Sequence, residues 1–248
     1  MTDVWSKYAP TAARDIKALS RPRPASGTID VHSHIVIPAA AELAGPHLSR
    51  SNDVASPDTV ALGRKQLVER RPHMTDLAVR IPDLDAMGIE RQVIKPSPQQ
   101  CYYDVPDEIS VKAARLVNDG MAEFAARRPD RFIPFGSVPM PVPSEAVSEL
   151  ERCVRQLGFR GIQLLTNVRG NELSDPAYEP FWAKAEELGV LVVIHPAGFT
   201  EPRRLSRFYF GNVIGNPLDT TVAVHHLIFD GVLERYPNLR ILAVHGGA

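Results

Sequence analysis

Four histidines stand at the ends of apolar runs. His32 and His34 close Ile29-Asp30-Val31-His32-Ser33-His34, His195 closes Leu191-Val192-Val193-Ile194-His195, and His245 closes Ile241-Leu242-Ala243-Val244-His245. A neutral imidazole is a nitrogen ligand suited to Zn²⁺ and related divalent ions. Side chains two apart on a strand point to one face, so His32 and His34 can aim at one point. Taken alone, that pair could equally be ordinary strand histidines, one hydrogen-bonded in the core and one at a rim. Two further strand-end histidines favour metal chemistry. The other histidines carry less. His225 and His226 are adjacent in a helix-like segment and face different ways, which reads as packing and surface. His47 and His73 show no spacing logic.

The elements that must position these groups follow from the pattern. Apolar runs at 28–34, 91–95, 131–135, 161–165, 190–195 and 240–245 read as strands. Helix-like stretches run through 83–87, 108–127, 144–157, 177–188 and 218–235 and alternate with the strands, which implies parallel strands with right-handed crossovers. An open doubly wound sheet would show a Gly-rich phosphate turn after its first strand. Here that strand runs into His32-Ser33-His34, so the expected fold is an α/β, TIM-type (β/α)8 barrel. In such a barrel the C-terminal strand ends converge on one mouth, which gathers the histidines. Residues 1–26 read as an N-terminal arm and linker, and residues 27–248 as the barrel domain with an insertion at 35–75. Only six strands are visible where eight close a barrel. The chain is therefore expected to be truncated after its sixth strand.

Composition narrows the partners. The 248 residues are 44% hydrophobic with a net charge of −1, giving no electrostatic case for nucleic acid or an anionic membrane. The two cysteines, Cys101 and Cys153, have no paired-ligand spacing, which suggests reduced thiols and a cytoplasmic setting. No h-region of a signal peptide and no bilayer-length apolar stretch is evident.

Several stretches together bring a family into view. They are the His32-Ser33-His34 strand, Val138-Pro139-Met140-Pro141-Val142-Pro143, Gly158-Phe159-Arg160-Gly161-Ile162-Gln163 and Val193-Ile194-His195-Pro196. To these are added Gly215-Asn216-Pro217-Leu218-Asp219-Thr220-Thr221 and Tyr236-Pro237-Asn238-Leu239-Arg240 leading to Val244-His245-Gly246-Gly247. In this order they resemble the amidohydrolase superfamily, and within it the aminocarboxymuconate-semialdehyde decarboxylase group. The resemblance implies a barrel of the metal-dependent hydrolase type. It implies that His32, His34 and His195 hold one divalent metal, most often Zn²⁺, with Mn²⁺ and others open. His245 would then serve as acid/base beside the metal's water rather than as a ligand. The group's usual further aspartate ligand, after an eighth strand, is not among these residues. The fourth strand, Gly161-Ile162-Gln163-Leu164-Leu165, lacks the lysine or glutamate that bridges two metals elsewhere in the superfamily, so a mononuclear site is expected.

The activity implied is non-oxidative decarboxylation of an unsaturated or aromatic carboxylic acid. The rivals are metal-dependent hydrolysis of a lactone or amide, hydration of an unsaturated diacid, and a non-catalytic binding protein. Carboxylate substrates need cations, and Arg64 and Arg71 are the candidates. Arg80 is expected to pair with Asp83 or Asp85. Phe199, Phe208 and Tyr209 are candidates to wall a planar substrate. The related enzymes are commonly dimers, so a homodimer is expected.

Overall fold

The computed structural model describes residues 27–48, 55–199 and 202–245. The expected arm at 1–26 and Gly246-Gly247 lie outside them. Six strands make one parallel sheet: β1 Ile29–Ile35, β2 Arg91–Pro96, β3 Phe132–Ser137, β4 Gly161–Leu165, β7 Leu191–His195 and β8 Arg240–Ala243, hydrogen-bonded in the order β1-β2-β3-β4-β7-β8. A two-residue hairpin, β5 Asn167–Val168 and β6 Asn171–Glu172, interrupts the sequence order without joining the sheet. Chain order equals spatial order, as repeated right-handed βα units require. The sheet curls as part of a (β/α)8-type barrel.

The helices are α1 Pro38–Ala44, α2 Pro57–Thr75, α3 Leu77–Ala86, α4 Asp107–Ala126, α5 Pro143–Arg155, α6 Glu179–Leu188, α7 Asn216–Phe229 and α8 Val232–Arg235. Two apolar layers between helices and sheet hold the outer face. One is centred on Phe181, Trp182, Ile162, Leu164 and Ile194, the other on Ile94, Val117, Met121 and Phe159. On α5, Ala146, Leu150 and Cys153 fall at helical spacing and are fully buried. Val93, Phe135, Val193 and Val244 pack on the opposite, concave side of the sheet. Phe135 lies so close to β4 that a Cβ on Gly161 would come within 2.3 Å of its ring. Glycine is needed there because backbone and aromatic face touch. Cys101 and Cys153 are both free and buried.

Two expectations change in detail. The 35–75 stretch is largely helical: α1 packs on α4, and α2 starts at Ser56, whose hydroxyl accepts from the Thr59 amide. No described residue of α2 is buried, so it rides on the surface. The helix expected over 218–235 is two helices, split at Gly231, whose φ of +78° breaks the α-helical path. No described helix is long and apolar enough to cross a membrane.

Candidate metal centre

β1 carries an irregularity that the sequence does not announce. Asp30 pairs with Gln92 and Ser33 with Ile94, so three steps on β1 match two on β2. One extra residue is therefore inserted between Asp30 and Ser33, a β-bulge. In a regular strand Asp30, His32 and His34 would share a face. The bulge separates them. Asp30 turns to the helix side, beside Gln92, while His34 lies level with Lys95 on the concave side.

A chain of polar contacts fixes this geometry from behind. The Gln92 amide nitrogen donates to Asp30 Oδ2 at 2.6 Å, and the other Asp30 oxygen accepts from the His32 backbone N–H at 3.0 Å. Arg80 Nε donates to Gln92 Oε1 at 2.7 Å, and its Nη1 donates to the carbonyls of His34 at 3.1 Å and His73 at 2.6 Å. The hydrogen bonds of Arg80 thus go to β1, β2 and α2, while Asp83, one of the carboxylates expected to pair with it, acts on it electrostatically. Arg131 takes Asp85 at 2.8 Å and His73 takes Asp83 at 2.6 Å, leaving the buried Arg80 to bind β1.

The histidines meet on the concave side. His32, His34 and His195 offer ligand atoms all within 4.8 Å of one another. His34 Nε2 lies 3.2 Å from His195 Nε2, and His245 Nε2 lies 3.1 Å from the same atom. The tautomers follow from the partners on the far side of each ring. His34 Nδ1 faces the Pro96 carbonyl at 3.0 Å, and His195 Nδ1 faces the Pro196 carbonyl at 2.7 Å. A carbonyl only accepts, so each Nδ1 carries the proton and each Nε2 presents a lone pair. Two lone pairs therefore face each other at 3.2 Å with no proton assigned between them. Ligand nitrogens about 2.0–2.1 Å from one Zn²⁺ stand at roughly that separation, and the carbonyl behind each ring is the usual support for a ligating histidine. The donor set fits a divalent metal.

Electrostatics point the same way. Burial pulls His195 down to about 2, His34 to about 3 and His32 to about 4, with the neighbouring imidazoles and Lys95 adding to the burial in one or more of them. His245 is also held below the usual histidine value, first by burial and then by Lys95. Four neutral imidazoles result near pH 7, the form that ligates metal. His245 has a φ of +58°, an uncommon backbone state for a residue with a Cβ.

Two residues near the cluster were not singled out in the sequence. Lys95, with 0% exposure, ends the Val93-Ile94-Lys95 run of β2, and Gln163 of β4 donates through Nε2 to the same Pro96 carbonyl that His34 uses. A lysine inside an apolar strand, level with the histidines, was the available signal. Arg64 and Arg71 lie exposed on α2. Tyr209 bonds to Gln66 of α2 through its hydroxyl, and Phe208 lies exposed under Arg207. His226 pairs with Asp230 on the surface. Asp219, from the Asn216-Pro217-Leu218-Asp219 stretch, is buried and accepts from the Thr166 hydroxyl after β4.

Residues 29–248 match the family described as Amidohydrolase. The chain belongs to that family. This amidohydrolase-family chain is 31% identical over 224 residues to 2-amino-3-carboxymuconate-6-semialdehyde decarboxylase of Dictyostelium discoideum, covering 88% of the chain and 62% of the relative. It is 33% identical over 201 residues to gamma-resorcylate decarboxylase of Rhizobium radiobacter, covering 74% and 58%. It thus spans about three fifths of the length of these relatives. Among solved structures it superimposes with a TM-score of 0.70 on a dihydroxybenzoic acid decarboxylase from Polaromonas holding manganese and an inhibitor. That pair is 27% identical and covers 90% of this chain and 66% of the other.

Proposed function

We propose that this chain carries the metal-binding part of a decarboxylase acting on an aromatic or unsaturated carboxylic acid. The observation that carries the reading is the facing of deprotonated Nε2 atoms of His34 and His195, with His32 and His245 beside them. Decarboxylase relatives that match over most of the chain support the reaction class. In this reading His32, His34 and His195 hold one divalent ion. An all-nitrogen set favours Zn²⁺, and the manganese in the Polaromonas structure makes Mn²⁺ the alternative. When bound, that ion supplies Lewis acidity toward an oxygen of the substrate.

The chain's own groups do the rest. The Pro96 and Pro196 carbonyls hold the rings of His34 and His195 in one tautomer. His245, partly exposed and against the cluster, is the acid/base: neutral at rest, it takes a proton from solvent and returns it from Nε2 to the substrate carbon as the bond to the carboxylate breaks. The electron pair of that bond ends in the new C–H bond, and carbon dioxide leaves. Arg64 and Arg71 are the outer cations of this reading, drawing a carboxylate toward the site. Two free buried cysteines support a reducing, cytoplasmic setting.

Elemental analysis of purified protein, followed by carbon dioxide release from a hydroxybenzoate panel, tests the reading. One metal per chain and gas evolution that His245→Gln abolishes are expected. Metal uptake with ring opening or water addition in place of gas would turn the assignment to the hydrolase or hydratase class.

A further inference from the structure

Lys95 is a buried lysine with no carboxylate at ion-pair distance among the described residues, Asp30 acting on it only from further away. It is 0% exposed, and no carboxylate of the described residues pairs with it. Among the described residues its one hydrogen-bond acceptor is the Val31 carbonyl at 3.1 Å, which uses one of three N–H donors. Val93, two residues earlier, packs in the concave core, so Lys95 points to that side as well. There it is level with His34 across β1 and β2. A buried cation costs several kcal/mol unless an anion compensates it. A divalent ion on the adjacent imidazoles would raise that cost further. Two cationic centres in one buried mouth leave a place for an anion between them.

We propose that Lys95 is the anion anchor of this site, receiving a carboxylate or phenolate oxygen of the bound aromatic acid on its free N–H donors. The proposal rests on the aromatic-acid reading above for its ligand class. It assigns the inner cation to β2, whereas Arg64 and Arg71 lie exposed on α2. The partly exposed His32 and His245 mark the side from which a ligand enters. An ammonium also suits this position geometrically, because it is a point charge that tolerates several oxygen positions, unlike the planar fork of arginine.

The test is calorimetric binding of benzoate and of benzamide, its neutral analogue, to zinc-loaded protein. Wild type is expected to prefer benzoate by about tenfold or more, the scale of one charged hydrogen bond. Lys95→Met should erase that preference while zinc content stays at the wild-type value, and Lys95→Arg should restore part of it. If Lys95→Met does not fold, Lys95→Gln carries the same comparison. Equal weakening of both probes, or loss of zinc in the variant, would show that Lys95 only caps the Val31 carbonyl. Absence of any benzoate preference in wild type would also overturn the anchor. A Lys95-dependent benzoate preference without carbon dioxide release from any hydroxybenzoate would leave the anchor standing and remove the decarboxylase reading.

Discussion

β1 and β7 deliver imidazoles to the same cluster by opposite means. β7 is regular, in register with β4 and β8 on either side, and its Val192, Val193 and Ile194 are fully buried. His195 is carried to the cluster by apolar packing on a regular strand, with only the adjacent Pro196 carbonyl fixing its ring. β1 is bulged, pairs on one side only among the described residues, and leaves Ile29 at 48% and Val31 at 51% exposure. Its histidines are aimed by hydrogen bonds running from Arg80 through Gln92 to Asp30. A continuous apolar run sets a direction through the β period, whereas a bulge must be held by specific partners. The first kind of positioning is redundant, spread over many contacts. The second concentrates in a few atoms.

Several measurements can sharpen or break that contrast. The largest effect is common to both sides: His34→Ala and His195→Ala should each abolish metal retention, read by elemental analysis after dialysis. If one variant kept its metal, the two strands would not serve one site. Next, Arg80→Met should cost about 3–5 kcal/mol in denaturant unfolding, since it strands polar partners on β1, β2 and α2. A cost below 1 kcal/mol would mean that the bulge holds itself.

Acid should expose the cluster as a whole. Each of His32, His34 and His195 has a folded value below the ordinary 6.5, so below pH 6.5 the unfolded chain binds more protons than the folded one. Stability of metal-free protein is therefore flat above that pH and falls as pH drops toward about 4, by a few kcal/mol. Metal should blunt the fall by competing with protons for the same lone pairs. A metal-free protein equally stable at pH 7 and pH 4 would contradict the neutral cluster. On the regular side, Ile194→Val should cost only about 1 kcal/mol, the usual result of removing one buried methylene. Smallest of all, Asp83→Asn should cost about 0.5 kcal/mol, because the His73–Asp83 pair is partly exposed on both sides.

The same contrast explains what could be read in the sequence. β7 and its histidine were legible because a continuous apolar run ending in a polar residue has few other meanings. The barrel order followed from alternating periods, and the histidine set from three strand ends, two of them closing continuous apolar runs. The bulge was not legible, since Ile29-Asp30-Val31-His32-Ser33-His34 alternates well enough to pass for a regular strand. Helical spacing points Arg80 to its near neighbours Asp83 and Asp85, while its side-chain hydrogen-bond partner, Gln92, lies across a turn on β2. Lys95 escaped for a related reason: charge inside a strand signals burial only once its neighbours across the sheet are known.

The sealed thiols have a practical bearing on all of this. Burial raises Cys101 to about 11 and Cys153 well above its ordinary range, so neither is a thiolate at neutral pH. Air and mild oxidants then have no ready thiolate to attack in the folded protein. Soft ions such as cadmium find no competing thiolate there. An equivalence point obtained aerobically, without added reductant, therefore counts nitrogen sites.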